Sequence, residues 1–216
     1  MNGVRVLDDA EAVAAATASL VALAIEDGLR SLVLAGGTTP RRAYELLAGR
    51  PLPWGRVAVL FGDERCVPAD DPESNYWMAH QALLERVHPG TVHRMPGELG
   101  ADAAAALYDG VVRAHSPIDL VLLGMGPDGH TASLFPGHPE LRAAGGAVAV
   151  HGAPKPPPDR VSLTLAALRE ARRVVLVVTG ADKAEALRAA RRGEVPAGMI
   201  PDAEFIADRA AAALLE

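Results

Sequence analysis

The feature that most constrains this chain is a short run of apolar residues that stops at glycine. Its strongest instance is residues 118–137, IDLVLLGMGPDGHTASLFPG. Five or six apolar residues run into Gly124, Gly126 and Gly129, and His130 follows the last of these directly. Such a run, closed by glycines, reads as a buried strand ending in a tight loop. In an open α/β sheet ligands sit beyond the carboxyl ends of the strands, so this loop presents a titratable imidazole where chemistry is done.

The same strand-to-loop pattern recurs. Residues 31–35 read as a buried strand, followed by Gly36, Gly37, Thr38, Thr39 and Pro40 and by a helix predicted over residues 41–48. Proline at the first helical position after a threonine cap is a helix-start signal. The two glycines let backbone N–H groups approach a ligand, and a helix N-terminus favours an anion, so residues 36–39 are a candidate phosphate cradle. An ordinary βα turn reads the same way, and no Gly-Lys-Ser/Thr follows to make a Walker A loop. Residues 54–61 predict the next strand, with Gly62-Asp63-Glu64-Arg65 at its carboxyl end. Asp63 and Glu64 can form an acid–base pair with Arg65 holding a substrate oxygen, or the tetrapeptide is a salt-bridged loop. Further strands are predicted over residues 147–151, 161–165 and 173–178, and helices over 8–28, 76–87, 101–114 and 202–216. This alternation predicts an α/β protein with a doubly wound, mostly parallel sheet and helices on both faces. A length of 216 residues, half of them hydrophobic, suits a single domain over residues 1–216.

A formal net charge of −6 argues against a nucleic-acid partner. No apolar run approaches a membrane span, no secretory h-region follows the start, and Cys66 is the one cysteine, so the reading is a soluble cytoplasmic protein. An anionic small substrate fits that charge where cations are gathered locally. Of 21 basic residues only Lys155 and Lys183 are lysines. Lys155 lies in the proline-rich loop APKPPPDR ahead of Arg160, and Lys183 follows a predicted strand in Thr179-Gly180-Ala181-Asp182-Lys183. An ammonium suits a point contact to phosphate, and consecutive prolines pre-order the backbone beneath it. Two rare lysines in two edge loops point to an anionic ligand.

Other motifs carry less. His88, His93 and His115 show no HxH or HExxH spacing, and Asp70, Asp71 and Glu73 match no calcium loop, so no metal site is predicted. Gly124-x-Gly126-x-x-Gly129 superficially matches the dinucleotide fingerprint. Pro136 cuts short the helix that fingerprint should open, and the next strand ends in His151 rather than an acid. No cofactor is expected.

Together, Gly36 to Pro40, Gly62-Asp63-Glu64-Arg65 with Ser74-Asn75 downstream, the block from Gly124 to Ser133, the segment from Lys155 to Thr164, and Thr179 to Lys183 resemble the 6-phosphogluconolactonases. The likeness runs in order over essentially the whole chain. That family is similar in fold to the glucosamine-6-phosphate deaminases, which implies a Rossmann-like architecture. Deaminases carry a glutamate shortly after their Asp-Gly-His block, and here Phe135 stands at the matching position, which argues for the lactonase. The implied reaction is hydrolysis of 6-phospho-D-glucono-1,5-lactone, with a sugar-phosphate lactone as the partner and a monomer or small homo-oligomer as the assembly. In this reading His130 is general base and acid, Asp128 orients it, and Arg65 with backbone N–H groups steadies the oxyanion. Asp63 matches the deaminase general base. No metal or covalent nucleophile is required, and Ser133 lies in no Gly-x-Ser-x-Gly elbow. Gly37, Thr38, Arg160 and Lys183 are implied phosphate contacts, with Gly36, Thr39, Glu64, Gly129 and Lys155 completing the substrate-binding set. A non-catalytic sugar-phosphate sensor is the alternative of another class; it can dispense with His130 and Arg65, and both are present.

Overall fold

The computed structural model describes residues 3–215. Along them run β1 (Val4–Leu7), α1 (Ala10–Glu26), β2 (Ser31–Leu34), α2 (Thr38–Ala48), β3 (Ala58–Phe61), β4 (Asp63–Arg65), α3 (Asn75–Ala79) and β5 (Thr91–Val92). Then follow α4 (Ala101–His115), β6 (Leu120–Gly124), β7 (Ala147–Val150), β8 (Arg160–Leu163), α5 (Leu165–Glu170), β9 (Val174–Val178), α6 (Ala184–Arg191) and β10 (Glu204–Asp208). One seven-stranded sheet has the order β1-β10-β9-β6-β2-β3-β5, and every neighbouring pair in it is parallel.

The strand sequences explain why both faces of this sheet are covered. Runs such as LVLL and VVLVV leave no polar face, and a parallel sheet of that kind needs a layer on each side. Val33, Leu60, Val121, Leu123 and Leu176 share one core with side chains of α4, α5 and α6. Their neighbours Leu32, Val59, Leu122 and Val175 share the other with α1 and α2. The doubly wound α/β architecture expected from the sequence is the one observed.

Winding reverses beside β2. The chain goes from β2 outward to β3 and β5, then returns to β6 on the other flank of β2 and continues to β9 and β10. A crevice therefore opens beyond the carboxyl ends of β2 and β6, where the glycine-rich loops begin.

Several elements differ from expectation. Residues 63–65 are not a loop but strand β4, paired antiparallel with β8 in a separate three-stranded sheet, β4-β8-β7. A charged triplet has no apolar alternation to announce it; its partner strand makes it a strand. As far as they are described, residues 202–216 do not form the expected helix either. Phe205, Ile206 and Ala207 insert as β10 between β1 and β9, and residues 209–214 only turn. The alanines of this tail have helix propensity, but burying Phe205 and Ile206 in the sheet outweighs it. Residues 76–87 divide between short α3 and a π-helical turn at His80–Leu84, and residues 54–61 begin with a 3-10 turn at Trp54–Arg56 before β3.

Candidate active site

The loop after β2 forms the first wall. Gly37 caps α2 at φ +107°, a conformation open to glycine, so the helix starts at Thr38 and not after a threonine cap. Tyr44, buried on α2, donates to the carbonyl of Ala35 at 2.9 Å and accepts from its N–H at 2.8 Å, which fixes the end of β2. Thr39 Oγ1 lies 2.6 Å from Thr179 Oγ1, joining this loop to the one after β9. The latter is held in turn by Asp208, which accepts from Gly180 N at 3.0 Å.

The loop after β6 forms the second wall. Gly126 N donates to the carbonyl of His130 at 2.9 Å, and Gly129, at φ +80°, donates to that of Gly126 at 3.0 Å. This turn folds the imidazole back over Gly126, where a Cβ would stand 2.1 Å from the ring. His130 Nδ1 lies 2.5 Å from Asp128 Oδ1. The Phe135 ring packs 4.6 Å from the imidazole, centroid to centroid, and is buried. Burial raises the Asp128 carboxyl, but the hydrogen bond and charge of His130 outweigh it and hold the group below the ordinary carboxylate range. With Nδ1 engaged, Nε2 is the ring nitrogen left for a ligand.

Strands β4 and β8 supply the third wall. Asp63 is buried, and both oxygens are held: Oδ2 accepts from Ser133 Oγ at 2.6 Å and Oδ1 from Asn75 Nδ2 at 3.2 Å. The Ser133 hydroxyl donates to that carboxylate, is fully buried and is not part of the cavity lining. Glu64 alternates to the other side of the strand, away from the side that Asp63 faces. Its carboxylate accepts from Arg65 N, Ser74 Oγ, Asn75 N and Tyr76 N, so it is a clamp on the start of α3. Burial pushes the Glu64 carboxyl up against these four donors. Arg65 and Arg160 are direct cross-strand partners. Arg65 Nη1 donates to the carbonyl of Glu73, whereas Nε is buried with no partner among the described residues. Like charges opposite one another in a ladder are unfavourable unless an anion joins them. Burial lowers the Arg160 pKa, Asp63 opposes that shift, and the Arg65 charge adds to it.

These walls enclose a cavity of about 340 Å³ at the winding reversal. Its lining brings together Gly36, Gly37, Thr38, Thr39, Asp63, Arg65, His130, Lys155, Arg160 and Lys183, which the sequence points to separately. Asp128, Glu64 and Gly129 are not part of the lining. Asp128 bears on the cavity through His130; Gly129 packs against Val195, where a Cβ would stand 2.5 Å away, so it shapes the loop instead of meeting a ligand. Asn75 and Thr179, which the sequence reading quotes without a role, line the cavity as well. Ser74-Asn75 after an Asp-Glu pair is the one signal that could have found Asn75. Among the described residues no group of three His, Cys, Asp or Glu side chains is arranged to hold a metal ion, and no helix is long and apolar enough to cross a membrane.

The family described as glucosamine-6-phosphate isomerases/6-phosphogluconolactonase matches residues 8–210. The chain belongs to this family. Among its relatives, a 6-phosphogluconolactonase of Streptomyces coelicolor is 43% identical over 211 residues, covering 86% of this chain and 81% of its own. One of Mycobacterium leprae is 37% identical over 222 residues, covering 93% and 90%. The solved structure of 6-phosphogluconolactonase from Trypanosoma brucei superposes with a TM-score of 0.91 at 26% identity, over 100% of this chain and 99% of that one. A monomeric glucosamine-6-phosphate deaminase shares the fold, with a TM-score of 0.85 at 23% identity over 99% of this chain and 100% of that one. In this chain a buried aromatic ring, Phe135, packs against the imidazole at the position where the resemblance expects a deaminase glutamate.

Proposed function

We propose that the chain hydrolyses 6-phospho-D-glucono-1,5-lactone to 6-phospho-D-gluconate, the second step of the oxidative pentose phosphate pathway. One observation carries this reading. An imidazole whose Nδ1 is tied to Asp128 shares a cavity with Arg65, Lys155, Arg160 and Lys183, four cations gathered in a chain of net charge −6. A molecule with an electrophilic carbonyl and a phosphate uses both halves. The helix N-terminus at Gly37 and Thr38 receives the phosphate with Lys183 and Lys155, and the charge of Arg160 adds to theirs. His130 Nε2 takes a proton from water as the water oxygen attacks the lactone carbonyl carbon. The oxyanion that forms is steadied by Arg65, which lines the cavity, and by loop N–H groups. As the intermediate collapses, the bond to the ring oxygen breaks and the imidazolium returns the proton to that oxygen. The carboxylic acid so formed ionises and releases one proton. Asp128 holds the imidazole in the tautomer this needs, and Asp63 aligns a sugar hydroxyl. The same reading carries a cytoplasmic enzyme that works as a monomer or small homo-oligomer.

Proton release from freshly generated 6-phosphogluconolactone, followed with a chelator present, tests this. Wild type is expected to accelerate hydrolysis and His130→Ala to lose about 10²-fold or more in kcat. An equally active His130→Ala protein would sink the assignment of the base, and a wild type no faster than buffer would sink the activity.

A further inference from the structure

Arg160 spends most of its guanidinium on the loop that carries Lys155. Nε donates to the carbonyl of Pro157 at 3.0 Å, and Nη2 donates to those of Lys155 at 2.9 Å and Pro156 at 3.4 Å. The reason lies in the sequence. Between residues 154 and 158 every position but Lys155 is proline, so this segment offers a single backbone N–H and has almost nothing with which to bond itself. Its base is closed by Ala153 N donating to the carbonyl of Pro158 at 2.8 Å. Within that closure one planar fork takes three successive carbonyls, those of residues 155–157. The fork is itself held: Arg160 is buried, and its Cζ sits 5.8 Å from the centroid of the Phe135 ring. Lys155, by contrast, is exposed, yet it lines the cavity.

We infer that Arg160 is a positioning residue, a latch whose main contribution to substrate binding is to hold the proline loop so that Lys155 faces the phosphate. The inference rests on the phosphate reading of the cavity given above. A lysine at residue 160 keeps the charge and loses the fork, since one ammonium cannot match three carbonyls and a ring face. A latch and the residue it positions act as a unit, so their losses are not additive, whereas two independent phosphate ligands give losses that multiply.

The test is a double-mutant cycle on kcat/KM for the phosphorylated lactone, using Lys155→Ala, Arg160→Lys and both together, repeated with unphosphorylated glucono-1,5-lactone. Each single variant is expected to lose about tenfold on the phosphorylated substrate, chiefly through KM. The double variant is expected to fall no further than the worse single one. A double variant that loses the product of the two factors overturns the latch. Lys155 is exposed, so Lys155→Ala folds whatever becomes of Arg160→Lys, and an unchanged KM in that variant alone overturns the inference. Losses of the same size on the unphosphorylated lactone instead overturn the phosphate reading beneath it.

Discussion

A missing side chain decides where the imidazole points. A Cβ on Gly126 would stand 2.1 Å from the His130 ring and 2.5 Å from Asp128 Oδ1, so any larger residue must push the base off its partner. Gly126→Ala is expected to lower kcat about 10²-fold with the fold intact, since displacing a catalytic group by about 1 Å has that effect. Proton-release kinetics together with circular dichroism check it; a kcat within about twofold of wild type would show that the ring is not held there. His130 and Asp128 were legible in the sequence because glycines isolate them beyond a strand. Glu64 was not. A carboxylate that clamps a helix start and one that lines a cavity look alike in a sequence, and only strand alternation separates Glu64, wrapped in four donors, from Asp63 beside it.

At the scale of elements, the parallel sheet was readable because its strands are continuous apolar runs between glycines. The antiparallel sheet was not, because β4 is a charged triplet whose structure comes from its partner β8. The tail failed for a related reason: Phe205 and Ile206 owe their extended form to β1 and β9, which lie far away in sequence. The β7–β8 connection is fastened outside the cavity as well. His151, just after β7, bonds Asp159 through Nδ1 at 3.1 Å and lies 3.4 Å through Nε2 from Asp102 in the first turn of α4. The hydrogen bonds to Asp159 and then Asp102 raise its pKa above the ordinary 6.5. A raised folded value means that this stabilisation is fully present below the unfolded pKa and is lost as pH rises through the folded one. His151→Ala is therefore expected to be less stable than wild type at acidic pH, by no more than about 0.5 kcal/mol because the groups are exposed, and equal to it in alkali. Urea unfolding at about pH 5.5 and about pH 9 reads the difference; a gap that widens with pH contradicts the pairing.

The whole molecule sets a negative chain around a positive cavity. In the proposed reading its net charge of −6 repels an anionic substrate at long range, while Arg65, Lys155, Arg160 and Lys183, which line the cavity, attract it at the winding reversal. The location of the cavity was foreseeable from the rule that ligands bind beyond carboxyl ends of strands; the pairing of Arg65 with Arg160 needed the second sheet. Lys183 Nζ rests 2.8 Å from Asp182 Oδ2, but Asp182 is exposed and such a pair is worth little, so a phosphate can compete for the ammonium. Two consequences follow from attraction at short range. Lys183→Ala is expected to raise KM for the phosphorylated lactone about tenfold while kcat stays within about twofold, because a remote group that binds ground and transition states alike contributes to KM. Raising ionic strength from about 0.02 M to about 0.3 M is expected to raise the wild-type KM for that substrate and to leave the KM for unphosphorylated glucono-1,5-lactone unchanged, since screening acts only where both partners are charged. The variant, with one cation fewer, shows a shallower salt dependence than wild type. A wild-type KM indifferent to salt would mean that the phosphate is not held by these cations, and the gathering of four of them in a negative chain would need another reason.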